Sequence, residues 1–195
     1  MAADKFAICN MALSHLGQKP IVSFADGTVR SDLCSLHYDK CRDAALIECK
    51  PSFAKARFSE DTPAVTAPDW GYDNYFPVDA DCIYVTQCRD DNYRDDGRSN
   101  IEWEFEGDFI AANATKIYYT SIQRITVTTK HSSIFDQALE YKLASVLAMP
   151  LTESSTKQTA MIQLYEMMKN NALGLDGVMG SGHRLRNQSL TNNVR

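Results

Sequence analysis

Cysteine, histidine and carboxylate spacing is where chemistry would first show in this chain. Cys34, His37 and Cys41 stand at i, i+3 and i+7, close enough along one helix to suggest a metal. Zinc, however, is bound by tight pairs such as Cys-x₂-Cys, closed by a second pair into a tetrahedron. Cys34 and Cys41 instead share a stripe with Tyr38 and Ala45, where a free cysteine acts as a small hydrophobe. A calcium loop fails as well: with Gly97 at the sixth position, Asn92 is first, Arg94 third and Trp103 twelfth, where an EF-hand needs carboxylates at the first and last. The four histidines are His15, His37, His131 and His183, and no cysteine follows a strand at a helix N-terminus, where its pKa would fall. Phosphate-cradling and nucleophile-elbow glycine motifs do not occur. Glu102, Glu104 and Glu106 alternate with Ile101, Trp103 and Phe105, as the wet face of a strand would. These patterns predict no catalytic residue, no metal and no cofactor.

The elements that carry these residues follow from periodicity. Phe6, Cys9, Leu13 and Leu16 share one face of a helix over 4–16, stopped by Gly17. A longer helix over 28–49, capped by Asp26 or Thr28 and ended by Pro51, carries the stripe Cys34, Tyr38, Cys41, Ala45 and Cys49. Residues 53–58 alternate weakly, and a proline-rich loop runs from Asp61 to Pro68. Strands are predicted at 81–88, 101–106, 109–110, 115–120 and 123–129, with Gly107-Asp108 as a turn and 89–100 as an exposed polar loop. Helices return at 133–149, capped by Ser133 and closed by Pro150, and at 154–173, capped by Thr152 or Ser155 and ended by Gly174 and Gly177. Helices flanking a run of strands predict an α+β fold. The simplest packing is a four-helix bundle from both chain ends, with an antiparallel β insertion between helices two and three. The corresponding divisions are 1–50 with 131–176 for the bundle, 51–130 for the β-rich insertion and 177–195 for an extended C-terminal arm. Leu13, Leu16, Leu143, Leu147, Leu164 and Met168 are the predicted core.

The chain has 195 residues, 44% hydrophobic and 23% charged, which fits one globular domain with an appendage. No apolar run approaches the roughly 20 residues of a membrane span. The first six residues have neither the basic segment nor the apolar core of a secretory signal, so the six cysteines are expected as free thiols. The net charge of −5 comes from 20 basic and 25 acidic residues. Three of the arginines and none of the acids lie beyond Asp176, which leaves −8 on residues 1–176 and +3 on residues 177–195. An acidic body argues against gripping duplex DNA, which needs a basic face.

The chain resembles the tailed-phage head-to-tail adaptors, the connector proteins of the tail tubular protein A-like family. The likeness runs through Asn10-x-Ala12-Leu13-x-x-Leu16-Gly17, Cys41-Arg42-Asp43-x-x-Leu46 and Phe53-Ala54-x-x-Arg57. It continues through Asp81-Cys82-Ile83-Tyr84-Val85, Glu106-Gly107 with Ile110, and Ile117-x-Tyr119. It ends in Phe135-x-x-Ala138-Leu139, Leu143-Ala144-x-x-Leu147-Ala148 and Leu151-Thr152. Two departures stand out: Pro51-Ser52 replaces a tryptophan before the Phe-Ala pair, and Pro77 lies four residues ahead of Asp81.

The resemblance implies a structural virion protein at the head-tail interface, made in the host cytoplasm and without catalysis. Copies would form a homo-oligomeric ring, typically of twelve, beneath the portal protein. The ring would extend the DNA channel and offer a platform to a downstream tail or nozzle protein. DNA would pass without sequence-specific binding, eased by like charge. The basic arm, with His183, Arg184, Leu185, Arg186, Leu190 and Arg195, is the expected portal contact. A virion-associated cell-wall hydrolase and a non-viral cytosolic binding module are the competing classes. The hydrolase would need a carboxylate pair in a cleft.

Overall fold

A computed structural model describes residues 4–61, 63, 71–91 and 99–180, with side chains through 174. The chain is mixed α+β, with four helices and two small antiparallel sheets among the described residues. Helix α1 (Lys5–His15) starts at Asp4, whose carboxylate accepts the Ala7 N–H at 2.6 Å. It ends in a Schellman motif: Gly17 N–H reaches Ser14 O and Gln18 N–H reaches Leu13 O, which needs the positive φ of 70° that Gly17 supplies. Helix α2 (Val29–Cys49) is capped by Thr28, whose hydroxyl accepts from Ser31 N–H. Asp26 in turn accepts both the N–H and the hydroxyl of Thr28, and these bonds hold its carboxyl well below the usual range. Lys50 leaves α2 in the left-handed region, and Pro51 follows.

Helix α3 (Ser133–Thr152) and helix α4 (Ser155–Gly180) form a hairpin across Glu153-Ser154, with Glu153 at φ 50°. The helices share one hydrophobic core. It takes Ile8, Leu13 and Leu16 from α1, the Cys34–Cys49 stripe from α2, Leu139, Leu143 and Leu147 from α3, and Tyr165 from α4. Burying each large aliphatic side chain contributes roughly 1.5–3 kcal/mol.

The strands make two three-stranded sheets. One has the order β1 (Lys55–Glu60), β6 (Ile117–Gln123), β3 (Cys82–Arg89), and the other β2 (Asn74–Pro77), β5 (Phe109–Ala112), β4 (Trp103–Glu106). All pairings are antiparallel. The two sheets enclose a second core of Phe76, Val85, Ile110, Ile117 and Tyr119, flanked by Phe58 and Trp103. Gly107, at φ 60°, takes the first turn position of the β4–β5 hairpin, whose closing pair is Glu106 and Phe109.

Several expected boundaries move, each for a local reason. Residues 124–129 are not strand: β1 starts at Lys55 opposite Ile122 and β3 at Cys82 opposite Gln123, so no partner remains past that point. The predicted strand over 101–106 is paired only from Trp103, because β5 ends at Ala112 opposite it. Strand β2 carries no alternating pattern, and its sequence gave no sign of it. The cap of α3 is Ser132 and not Ser133: its hydroxyl accepts the Phe135 N–H.

Pro150 lies inside α3, which continues to Thr152. The final turn is held by Thr152 Oγ1 donating to Ala148 O at 2.7 Å and by Glu153 N–H donating to Met149 O. Ser154, between the two expected candidates, caps α4 by accepting the Lys157 N–H. Helix α4 runs through Gly174 and Gly177 to Gly180, so the C-terminal arm is not extended at its first residues, 177–180. A glycine costs a helix about 1 kcal/mol against alanine and does not end it alone. Leu164 and Met168 are half-buried, since α4 packs chiefly on α3 and only lightly on α2; the other four predicted core leucines are fully buried.

Candidate functional site

The residues expected to touch a partner, His183, Arg184, Leu185, Arg186, Leu190 and Arg195, lie outside the described residues, as do residues 92–98 of the Asp90–Trp103 loop. The remaining candidates are placed. Among the described residues no group of three or more His, Cys, Asp or Glu is arranged to hold a metal ion. Cys34 and Cys41 are buried in the α2 stripe, while His37 is only half-buried. All six cysteines are free, five of them buried and Cys82 half-buried. The neighbouring Cys34 thiol of α2, together with burial, pushes the Cys9 thiol of α1 up. Burial pushes Cys41 and Cys49 up to about 11 and Cys88 up to about 12. Thiols held this far up are neutral at physiological pH and poor nucleophiles.

The strongest buried polar contact lies where the helical core meets the strands. His131, between β6 and α3, places Nδ1 2.9 Å from Asp136 Oδ1 in the first turn of α3. The carboxylate accepts, so Nδ1 carries the hydrogen. Phe53, from the turn between α2 and β1, stands 5.5 Å from the His131 ring, and Phe135 stands 5.0 Å from it. Both chain crossings between helices and strands therefore converge on this imidazole. Its Nε2 is buried with no partner among the described residues. A His–Asp dyad of this type could orient a general base, but aromatic rings wall it from solvent. Its evident work is to fix the entry of the chain into α3.

One turn along α3, Glu140 is pushed up to about 7, first by burial and then by the Asp136 charge. The His15 Nε2 of α1 sits 3.6 Å from Glu140 Oε2, just beyond hydrogen-bond reach, and its ring stacks on Tyr141 at 4.5 Å. Burial holds His15 below its ordinary value. Asp136 and Glu140 thus lie four residues apart amid the apolar face of α3. Their spacing beside the run Phe135, Leu139, Leu143 was the available sequence signal.

At the surface a chain of charges ties the two cores together. Lys5 reaches Asp39, Arg42 bridges Asp39 and Asp43, and Asp43 accepts from Arg124 Nε at 3.0 Å, just past the end of β6. Arg124 N–H also donates to Asp81 O at 2.7 Å, ahead of β3. On the far side Glu48 of α2 accepts from Lys142 of α3 and from Tyr165 of α4, both at 2.6 Å.

The outer face of the β2–β5–β4 sheet has a different character. Glu102, Glu104 and Glu106 are all exposed, and Tyr75 donates its hydroxyl to Glu106 at 2.9 Å. Burial, and after it the neighbouring carboxylates, pushes the Tyr72 hydroxyl up. The three glutamates thus form a solvated acidic face, as their alternation predicted. An exposed row of carboxylates can attract cationic groups. No helix among the described residues is long and apolar enough to cross a membrane.

No family model matches this chain, and no curated protein matches it.

Proposed function

We propose that this chain is a structural virion protein, a head-to-tail adaptor whose copies form a ring beneath the portal. In this reading the ring extends the DNA channel and carries the tail. Its helices form a four-helix bundle from both chain ends, and the strands are an insertion between α2 and α3.

The observation that carries the reading is where the family-like motifs fall. Asn10, from the first of them, clamps the backbone of Ile21 with both amide atoms, at 2.9 and 3.3 Å, and so turns the chain from α1 toward α2. Arg42 and Asp43, from the second, anchor the ion-pair chain that reaches Arg124. Phe53, from the third, packs on His131 at the crossing into the strands. Asp81, from the fourth, accepts the Arg124 N–H at the crossing back. Motifs in a fixed order that each serve a joint of the architecture are what a shared architecture leaves in sequence.

The test is sedimentation of the purified chain mixed with the portal protein of its phage. The reading expects co-migration as a ring-sized complex. Separate migration at all ratios, or hydrolysis of cell-wall polymer by the chain alone, would reject it.

A further inference from the structure

Each sheet has two outer strands among the described residues, and two of these four, β1 and β4, carry exposed side chains of opposite charge. Strand β1 is the outer strand of its sheet, and its exposed side chains include Lys55 and Arg57. Strand β4 is the outer strand of the other sheet, with Glu104 and Glu106 exposed. Within each strand the charged pair is spaced i, i+2 and so lies on one face. The opposite faces carry apolar side chains, Trp103 and Phe105 on β4 and Ala56 and Phe58 on β1, with Glu60 at the far end of β1. Trp103 and Phe58 both pack on the second core, whereas Phe105, further along the same face as Trp103, is 41% exposed.

Resting on the ring reading above, we infer that β4 of one copy of this chain pairs antiparallel with β1 of the next, joining their sheets edge to edge. In an antiparallel ladder, opposed residues share a face. Setting Glu104 opposite Arg57 fixes the rest of the register. Glu106 then meets Lys55, Trp103 meets Phe58, and Phe105 meets Ala56. Every outer-face pair is of opposite charge, and every inner-face pair is apolar. The exposed Phe105 gains the neighbour it lacks in the single chain.

Pairing like edges fails on the same rule. An antiparallel β4–β4 contact about a two-fold axis puts glutamate opposite glutamate, and β1–β1 puts cations opposite cations. Like charges directly opposed destabilise a ladder. The edges therefore select a head-to-tail contact, and a head-to-tail contact closes into a ring when its rotation allows. The proposed partner is a second copy of the chain.

Charge exchange tests the contact. One variant carries Lys55→Glu and Arg57→Glu, making both edges acidic; a second carries Glu104→Lys and Glu106→Lys, making both basic. Circular dichroism checks that each keeps its fold. Self-association is read by analytical ultracentrifugation over a concentration series. Each variant alone should associate about ten- to a hundredfold more weakly than the natural chain, from two cross-strand pairs changed from attraction to repulsion. Mixing the two, or combining all four substitutions in one chain, should restore association. Variants that associate like the natural chain, a mixture that stays dissociated, or a natural chain that stays monomeric throughout would each overturn the inference. Binding of the natural chain to the portal is measured in parallel. Rings on the portal that are indifferent to the charge exchange would reject the strand contact and leave the adaptor reading standing. A natural chain that ignores the portal would reject the adaptor reading itself.

Discussion

Glu140 is the residue at which a single atom exchange is most informative. Its carboxyl is buried within the helical core, is pushed up to about 7 from an ordinary 4.5, and has no hydrogen-bonding partner among the described residues to offset its charge. A carboxyl raised in the folded state binds its proton more tightly there than in the unfolded chain. Stability from that proton is complete below about pH 4.5 and is lost as pH rises through about 7. A shift of this size corresponds to about 3 kcal/mol lost by pH 8. Glu140→Gln removes the titration while keeping the shape. The variant should match the natural chain near pH 4 and exceed it by up to about 3 kcal/mol at pH 8. That difference is roughly 6–12 °C in Tm for a domain of this length. Urea unfolding of both proteins at pH steps from 4 to 8 measures the difference directly, and carboxyls that do not interact with Glu140 cancel in the comparison. A glutamine variant that is less stable at pH 8, or a difference that does not change with pH, would refute the reasoning. The first result would mean that an ionised Glu140 is stabilised in the fold, as by a protonated His15, and the second that its carboxyl is not shifted by folding.

Leu143→Ala, at a fully buried position between α1, α3 and α4, should cost about 2–5 kcal/mol in denaturant unfolding. Thiol titration without reductant should count six groups in denaturant, and in the folded chain the half-buried Cys82 should react first. A count below six would reveal a disulfide. Under the adaptor proposal, deletion of 181–195 should leave the described helices in place while weakening portal binding, and portal binding by the full-length chain should fall as salt rises. Unchanged binding by the shortened chain would remove the arm from the contact.

Most of the helices were legible because their apolar residues recur on one face and their ends carry specific chemistry. Thr28 and Gly17 do locally what their types predict, and the Cys34–Cys49 stripe is buried as its period requires. The Gly107 turn and the β3 strand were legible for the same reason. What escaped depended on partners distant in sequence. Strand β2 exists because β5, far along the chain, pairs with it from Pro77 opposite Phe109 outward, and nothing within Asn74–Pro77 announces this. Residues 124–129 look like strand yet have no strand beside them. Glycines 174 and 177 looked like stops, but no turn takes over there and α4 continues. The buried acids of α3 were hidden by the apolar residues around them, because period alone does not show that Asp136 meets His131.

The most direct test of the central claim is the native mass of the chain purified together with the portal protein of its phage. The account predicts one complex in which many copies of this chain, typically twelve, sit on each portal ring. Free monomers beside a bare portal ring, with no complex at any ratio, would contradict it.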